Sequence, residues 1–114
     1  MAKLYKIAPA ALWHEAERER VFRGSAHDLR DGFIHFSTAA QVAETAAKHF
    51  AGQDDLLLIT VDGAALGEAL KWEVSRGGAL FPHLYGALAL RAVIGVVALP
   101  LGPDGRHRLP PLEA

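Results

Sequence analysis

The sequence predicts an α+β fold, a split β-sheet of five or six strands with two main helices. Short apolar or alternating segments, bounded by glycine, proline and polar residues, recur along the chain and cluster in its second half. Two stretches in the first half repeat apolar residues at helical spacing instead. Strands and helices do not alternate regularly, so this is not a repeated βαβ pattern.

Leu4-Tyr5-Lys6-Ile7 reads as a first strand. Pro9 suits the first turn of a helix, where its missing N–H costs nothing. Leu12, Trp13 and Ala16 recur at helical spacing while Glu15, Glu17, Arg18 and Glu19 face water, and the helix ends near Arg20. Val21-Phe22-Arg23 is a brief extended piece, and Gly24 to Gly32 is a polar loop. Phe33-Ile34-His35-Phe36 is a strand with Ile34 and Phe36 on one face and Phe33 and His35 on the other.

Thr38-Ala39-Ala40-Gln41 matches a capping box and opens a helix from Ala39 to about Phe50. Its buried stripe is Ala39, Val42, Ala43, Ala46 and Phe50, and Gly52 stops it. Leu56 to Val61 shows no alternation and reads as a central strand buried on both faces. Leu70, Trp72 and Val74 alternate with Lys71 and Glu73 in the next strand. Ser75 to Gly86 is a long loop rich in aromatic residues. Val93 to Leu99 is a strongly apolar strand in which Gly95 marks a bulge or a close backbone approach.

The 114 residues form a single domain, 1–114, with a core over about 3–99 and a loosely attached tail over 100–114. Hydrophobic residues make up 51% of the chain, which excludes a disordered polymer. The net charge of −1 disfavours nucleic acid as a tight partner. The chain has no cysteine, which removes disulfides, thiolate nucleophiles and zinc–thiolate sites. The start lacks the apolar stretch of a signal peptide, and no apolar run is long enough to span a bilayer. A cytoplasmic location with no membrane partner is expected, and the oligomeric state is open.

His35 leads the candidate site residues. It lies at a strand end just before a helix N-terminus, whose free N–H groups and partial positive charge suit phosphate or carboxylate. Ser37 and Thr38 add hydroxyls there. The structural alternative has Thr38 capping its helix and His35 filling a half-buried strand position. Glu73 lies mid-strand beside Trp72. In a pocket, desolvation would raise its pKa; on a solvated face it would merely accompany Lys71. Arg76 beside Gly77-Gly78 is placed to hold a phosphate. His83 sits in a stiff frame after Pro82, and Tyr85 offers a ring for stacking. The common nucleotide cradles are absent. A metal site of His35, Glu73 and His83 lacks any close ligand pair, so no metal is expected. His14, His27, His49 and His107 are assigned no role.

Tyr5-Lys6-Ile7, Trp13, Asp31 to Thr38, Lys71-Trp72-Glu73 and Phe81 to Gly86 together resemble an uncharacterised bacterial group, the domain-of-unknown-function family 952. The resemblance extends to about Leu99 and implies an ADP-ribosyltransferase-like fold that grips NAD in a cleft. The run from Ile34 to Leu66 also resembles the NAD-using RNA 2′-phosphotransferases, through His35, Ser37 and the following helix and strand. The arginines which that group uses on phosphates are not matched here. The resemblance implies that His35, with Ser37 and Thr38, binds a ribose hydroxyl of NAD. It implies that Tyr85 flanks the nicotinamide and that Glu73 stabilises the oxocarbenium-like centre. The expectation is a small-ligand enzyme with His35, Glu73, His83 and Tyr85 in one concave pocket. The alternatives are a non-catalytic ligand-sensing module and a metal-assisted hydrolase.

Overall fold

Pro9 ends the first strand, β1 (Lys3–Pro9), and precedes the first helix, α1 (Ala10–Glu19). Its fixed φ and missing N–H suit that junction. The structure, a computed structural model, describes residues 2–114 apart from the Arg76 side chain. Trp13 and Ala16 form the buried stripe of α1, as their spacing predicts, and Arg20 closes the helix in the left-handed region at φ 66°. A short strand, β2 (Val21–Phe22), follows.

The polar segment 24–32 is not a plain loop. It contains helix α2 (Ala26–Asp31), whose six residues are too few for apolar periodicity to show. A capping box makes this helix: the Ser25 hydroxyl accepts from the Asp28 N–H, and the Asp28 carboxylate accepts from the Ser25 N–H. Gly24, at φ 122°, lets the turn close, since a Cβ there would lie 2.8 Å from the Asp28 Cβ. Strand β3 (Ile34–His35) is shorter than predicted but keeps the predicted faces, with Ile34 and Phe36 buried and Phe33 beside His35 on the other side.

Helix α3 (Val42–His49) begins at Val42 rather than Ala39. Half of the predicted capping box is present, since the Gln41 side chain accepts from the Thr38 N–H at 3.1 Å. The Gln41 and Val42 N–H groups instead share the Thr38 carbonyl, which makes a turn ahead of the helix. Val42 and Ala46 are buried, and Ala39 and Phe50 pack against the same cluster. Ala43 is exposed, one position round the helix from that row.

The remaining strands are β4 (Leu56–Asp62), β5 (Leu70–Val74), β6 (Leu80–Leu84), β7 (Leu88–Ala89) and β8 (Val93–Leu99). The described residues thus form eight strands, three α-helices and three short 3₁₀ segments, rather than five or six strands and two main helices. The class is α+β, with every strand pairing antiparallel. The sheets run β1-β4-β8, β2-β7 and β3-β6-β5. As predicted, β4 is central. Thr60 pairs Gly95 while Val61 pairs Val93, so Ile94 bulges at the place its neighbouring glycine marked.

Strand β6 occupies part of the expected aromatic loop, where Gly77-Gly78 and Pro82 obscured it. Proline is rare in an inner strand because it lacks a ladder donor. Here the Pro82 carbonyl accepts from Phe36 N–H at 3.0 Å on the β3 side. The missing N–H points the same way, at the place where β3 has already ended. Strand β5 is consequently an outer strand, and Trp72 and Val74 of its apolar row are exposed.

Two buried clusters fill the interior. One joins Leu4, Trp13, Phe22, Ile34, Ile59 and Leu88, and the other joins Tyr5, Val42, Leu56, Leu58 and Leu99. Leu109 and Leu112 of the tail pack on the second, and the Tyr5 hydroxyl donates to the Glu113 carbonyl at 2.7 Å.

Candidate functional site: two histidine–carboxylate pairs on one sheet face

Register assembles the site. His35 lies opposite His83, His83 opposite Lys71, and Phe81 opposite Glu73. Period-two alternation adds Phe33 and Tyr85 to the same face. Phe33 is the hub of the ring contacts. It stacks on His83 at 4.1 Å between centroids and 26° between planes, and lies 4.6 Å from His35 and 5.1 Å from Tyr85. The two histidine rings meet edge to face at 5.4 Å.

Each histidine is oriented by a carboxylate. His83 Nδ1 donates to Glu73 Oε1 at 2.8 Å, and the Tyr85 hydroxyl donates to the same oxygen at 2.7 Å. His35 Nδ1 donates to Asp28 Oδ1 at 2.6 Å. Asp28 is a buried hub, which also accepts from the backbone N–H groups of His35 and Ser25. Lys6 Nζ, itself buried, lies 2.9 Å from Asp28 Oδ1 and 2.7 Å from Oδ2. These donors satisfy a charge that would be costly to bury alone.

The electrostatics follow from these partners. Burial alone would push the Asp28 carboxyl up, but the His35 hydrogen bond and the Lys6 ammonium together hold it well below the usual carboxylate range. Burial pulls the Lys6 ammonium below its ordinary value, and Asp28 opposes that. Glu73 lies below its ordinary value, chiefly through the His83 bond and then the Tyr85 bond. Of the two readings open for Glu73, a desolvated pocket carboxyl and a carboxyl on a solvated face, the structure fits the second: the side chain is 40% exposed and its donors favour the ionised form. Tyr85 is raised by donating to Glu73.

The structure brings His35, Glu73, His83 and Tyr85 together. It leaves Ser37 and Thr38 apart from them. Ser37 is buried with its hydroxyl 2.8 Å from that of Thr45, and its backbone bridges Tyr5. The Thr38 N–H is held by Gln41, and its carbonyl takes two N–H groups of the turn before α3 that were expected to face a ligand. The side chain of Arg76 lies outside the described residues. None of the four convergent residues lines the cavity beside them. A shallow depression of about 200 Å³ adjoins them, with Asp28, Phe33 and Gly86 in its wall.

Sequence reasoning missed Lys6, His27, Asp28 and Asp31. Ser25-Ala26-His27-Asp28 carries the capping-box signature that would have exposed α2. On that helix His27 and Asp31 stand four apart and face His35: His27 lies 4.4 Å from His35 between ring centroids, and Asp31 Oδ2 lies 3.0 Å from His35 Nε2. His27 is pulled below its ordinary value by burial and then by His35.

This chain belongs to the family described as Protein of unknown function (DUF952), whose model matches residues 7–96. It is similar to protein CC0527 from Caulobacter crescentus. The crystal structure of that protein is 50% identical over 93% of each chain, with a TM-score of 0.90. Its solution NMR structure is 51% identical over 93% of this chain and 91% of that one, with a TM-score of 0.83. No curated protein matches the chain. No helix among the described residues is long and apolar enough to cross a membrane.

Proposed function

We propose that the face formed by β3, β6 and β5 binds and cleaves NAD or another ADP-ribosyl compound, on an ADP-ribosyltransferase-like scaffold. The convergence of His35, Glu73, His83 and Tyr85 around Phe33 carries this reading. A carboxylate that stabilises a cationic sugar centre must be ionised, and the bonds from His83 and Tyr85 favour that form. The rings of Tyr85 and Phe33 supply an aromatic flank for a flat heterocycle. His35, held by Asp28 through Nδ1, would meet a ribose hydroxyl through Nε2 in place of its contact with Asp31.

In the proposed reaction the glycosidic bond to nicotinamide breaks and its electron pair leaves with the nicotinamide nitrogen. Water forms the new bond at the sugar carbon and gives up a proton to solvent. Proton NMR of the chain mixed with NAD tests this by following ligand line widths and free nicotinamide together. Broadening with nicotinamide release, abolished by Glu73→Gln, is the expected result. Broadening without release replaces the enzyme with a ligand-sensing module. Absence of both broadening and release would remove NAD from this face.

A further inference from the structure

We infer that His27, Asp31 and His35 form a binding site for a divalent first-row transition metal ion. The inference goes beyond the NAD reading and does not rest on it. One imidazole nitrogen from each histidine and one Asp31 oxygen all lie within 4.8 Å of one another. Asp31 Oδ2 is 3.0 Å from His35 Nε2 and 3.5 Å from His27 Nε2. Ligand atoms about 2.0–2.2 Å from a tetrahedral ion stand about 3.3–3.6 Å apart, so the two Asp31 distances lie close to what an ion needs and the rest of the closure falls to side-chain rotation.

His35 is oriented as a ligand to a cation at this spot would be. A neutral imidazole carries one N–H, and Asp28 fixes it on Nδ1. Nε2 then turns a lone pair towards the Asp31 oxygen, and two lone pairs at that distance need a proton or a metal ion between them. The Asp28–His35 bond is also the outer support that metal-bound histidines commonly have, with a carboxylate fixing the tautomer and ring orientation. That carboxylate is itself anchored by buried Lys6.

The ligand set names the class of ion. Two imidazoles and one carboxylate suit zinc and its first-row neighbours better than calcium or magnesium, which prefer all-oxygen shells. Three protein ligands leave at least one position for water or substrate. Arg30 works against the ion. Its guanidinium donates to His27 Nδ1 and lies 3.6 Å from Asp31 Oδ1. Binding therefore moves the His27 proton to Nδ1 and displaces Arg30, whose side chain is 70% exposed.

Titration of the full chain with Co²⁺, read by visible absorption and followed by Zn²⁺ competition, tests the site without any other ligand. The expected result is one Co²⁺ per chain, displaced by Zn²⁺. His27→Ala and Asp31→Asn should each weaken binding by at least about tenfold, the lower end of what losing even an outer-shell partner costs. Arg30→Ala should tighten it. All three side chains are substantially exposed, so the variants fold, and circular dichroism verifies this. Absence of Co²⁺ and Zn²⁺ binding would overturn the inference. Binding that survives both ligand substitutions would overturn it as well.

Discussion

The two histidine–carboxylate pairs share one sheet face and differ in what stands behind them. Asp28 is buried, with Lys6, two backbone N–H groups and His35 all directed at its carboxylate. Glu73 is partly open on an outer strand, held by His83 and the exposed Tyr85. The first pair is therefore part of the fold. It ties β1, α2 and β3 together through one charge, and fixes His35 as a by-product. The second pair can change its partners without disturbing the core. A site that needs one rigid group and one adaptable group has both within 5.4 Å, the separation of the two histidine rings.

Substitutions at the two carboxylates should separate these roles. Asp28→Asn leaves the Lys6 ammonium buried without its counter-charge and should cost about 3–5 kcal/mol, measured by urea unfolding. The same carboxylate sets an acid limit. Its folded pKa is depressed, so its contribution is complete above the ordinary value of 3.8 and is lost as the pH falls from there through the folded value. Urea midpoints measured down through this range should fall for the parent and change less for Asp28→Asn.

Gly24→Ala attacks the same hub from the backbone. It forces a side chain into φ 122° and against the Asp28 Cβ, and should cost about 1–3 kcal/mol in the same assay. At the open pair the effects turn from stability to titration. Glu73→Gln should leave the urea midpoint close to that of the parent. It should also bring Tyr85 ionisation back down towards its ordinary value of 10.0, read from the ultraviolet absorbance of the phenolate against pH. An unchanged Tyr85 titration would show that the Glu73–Tyr85 bond does not hold in solution.

Much of the face was legible in the sequence because period-two alternation is a strong constraint. Phe33 and His35 were separated correctly from Ile34 and Phe36, and the Leu70–Val74 strand put Glu73 on the right side. Pairing between strands was not legible. The opposition of His35 and His83 depends on β6, and Pro82 disguised that strand as loop. Helix α2 was hidden by its length, and with it Asp28, Asp31 and the position of His27. Ser37 and Thr38 show the reverse problem. Their place beside a helix start suited a ligand, but the Thr45 hydroxyl takes up the Ser37 hydroxyl and the turn before α3 takes up the Thr38 backbone groups. Lys6 sat openly inside an apolar strand, and a buried lysine implies a buried partner. Nothing in the linear spacing pointed to Asp28 as that partner.

Residue-resolved NMR of isotope-labelled chain titrated with NAD tests most directly whether the open cluster is where a ligand lands. The predicted result is saturating shifts centred on Phe33, Glu73, His83 and Tyr85, with smaller changes at His35 and none at Lys6. Shifts that leave these residues untouched, or that gather on the β1-β4-β8 sheet, would contradict it.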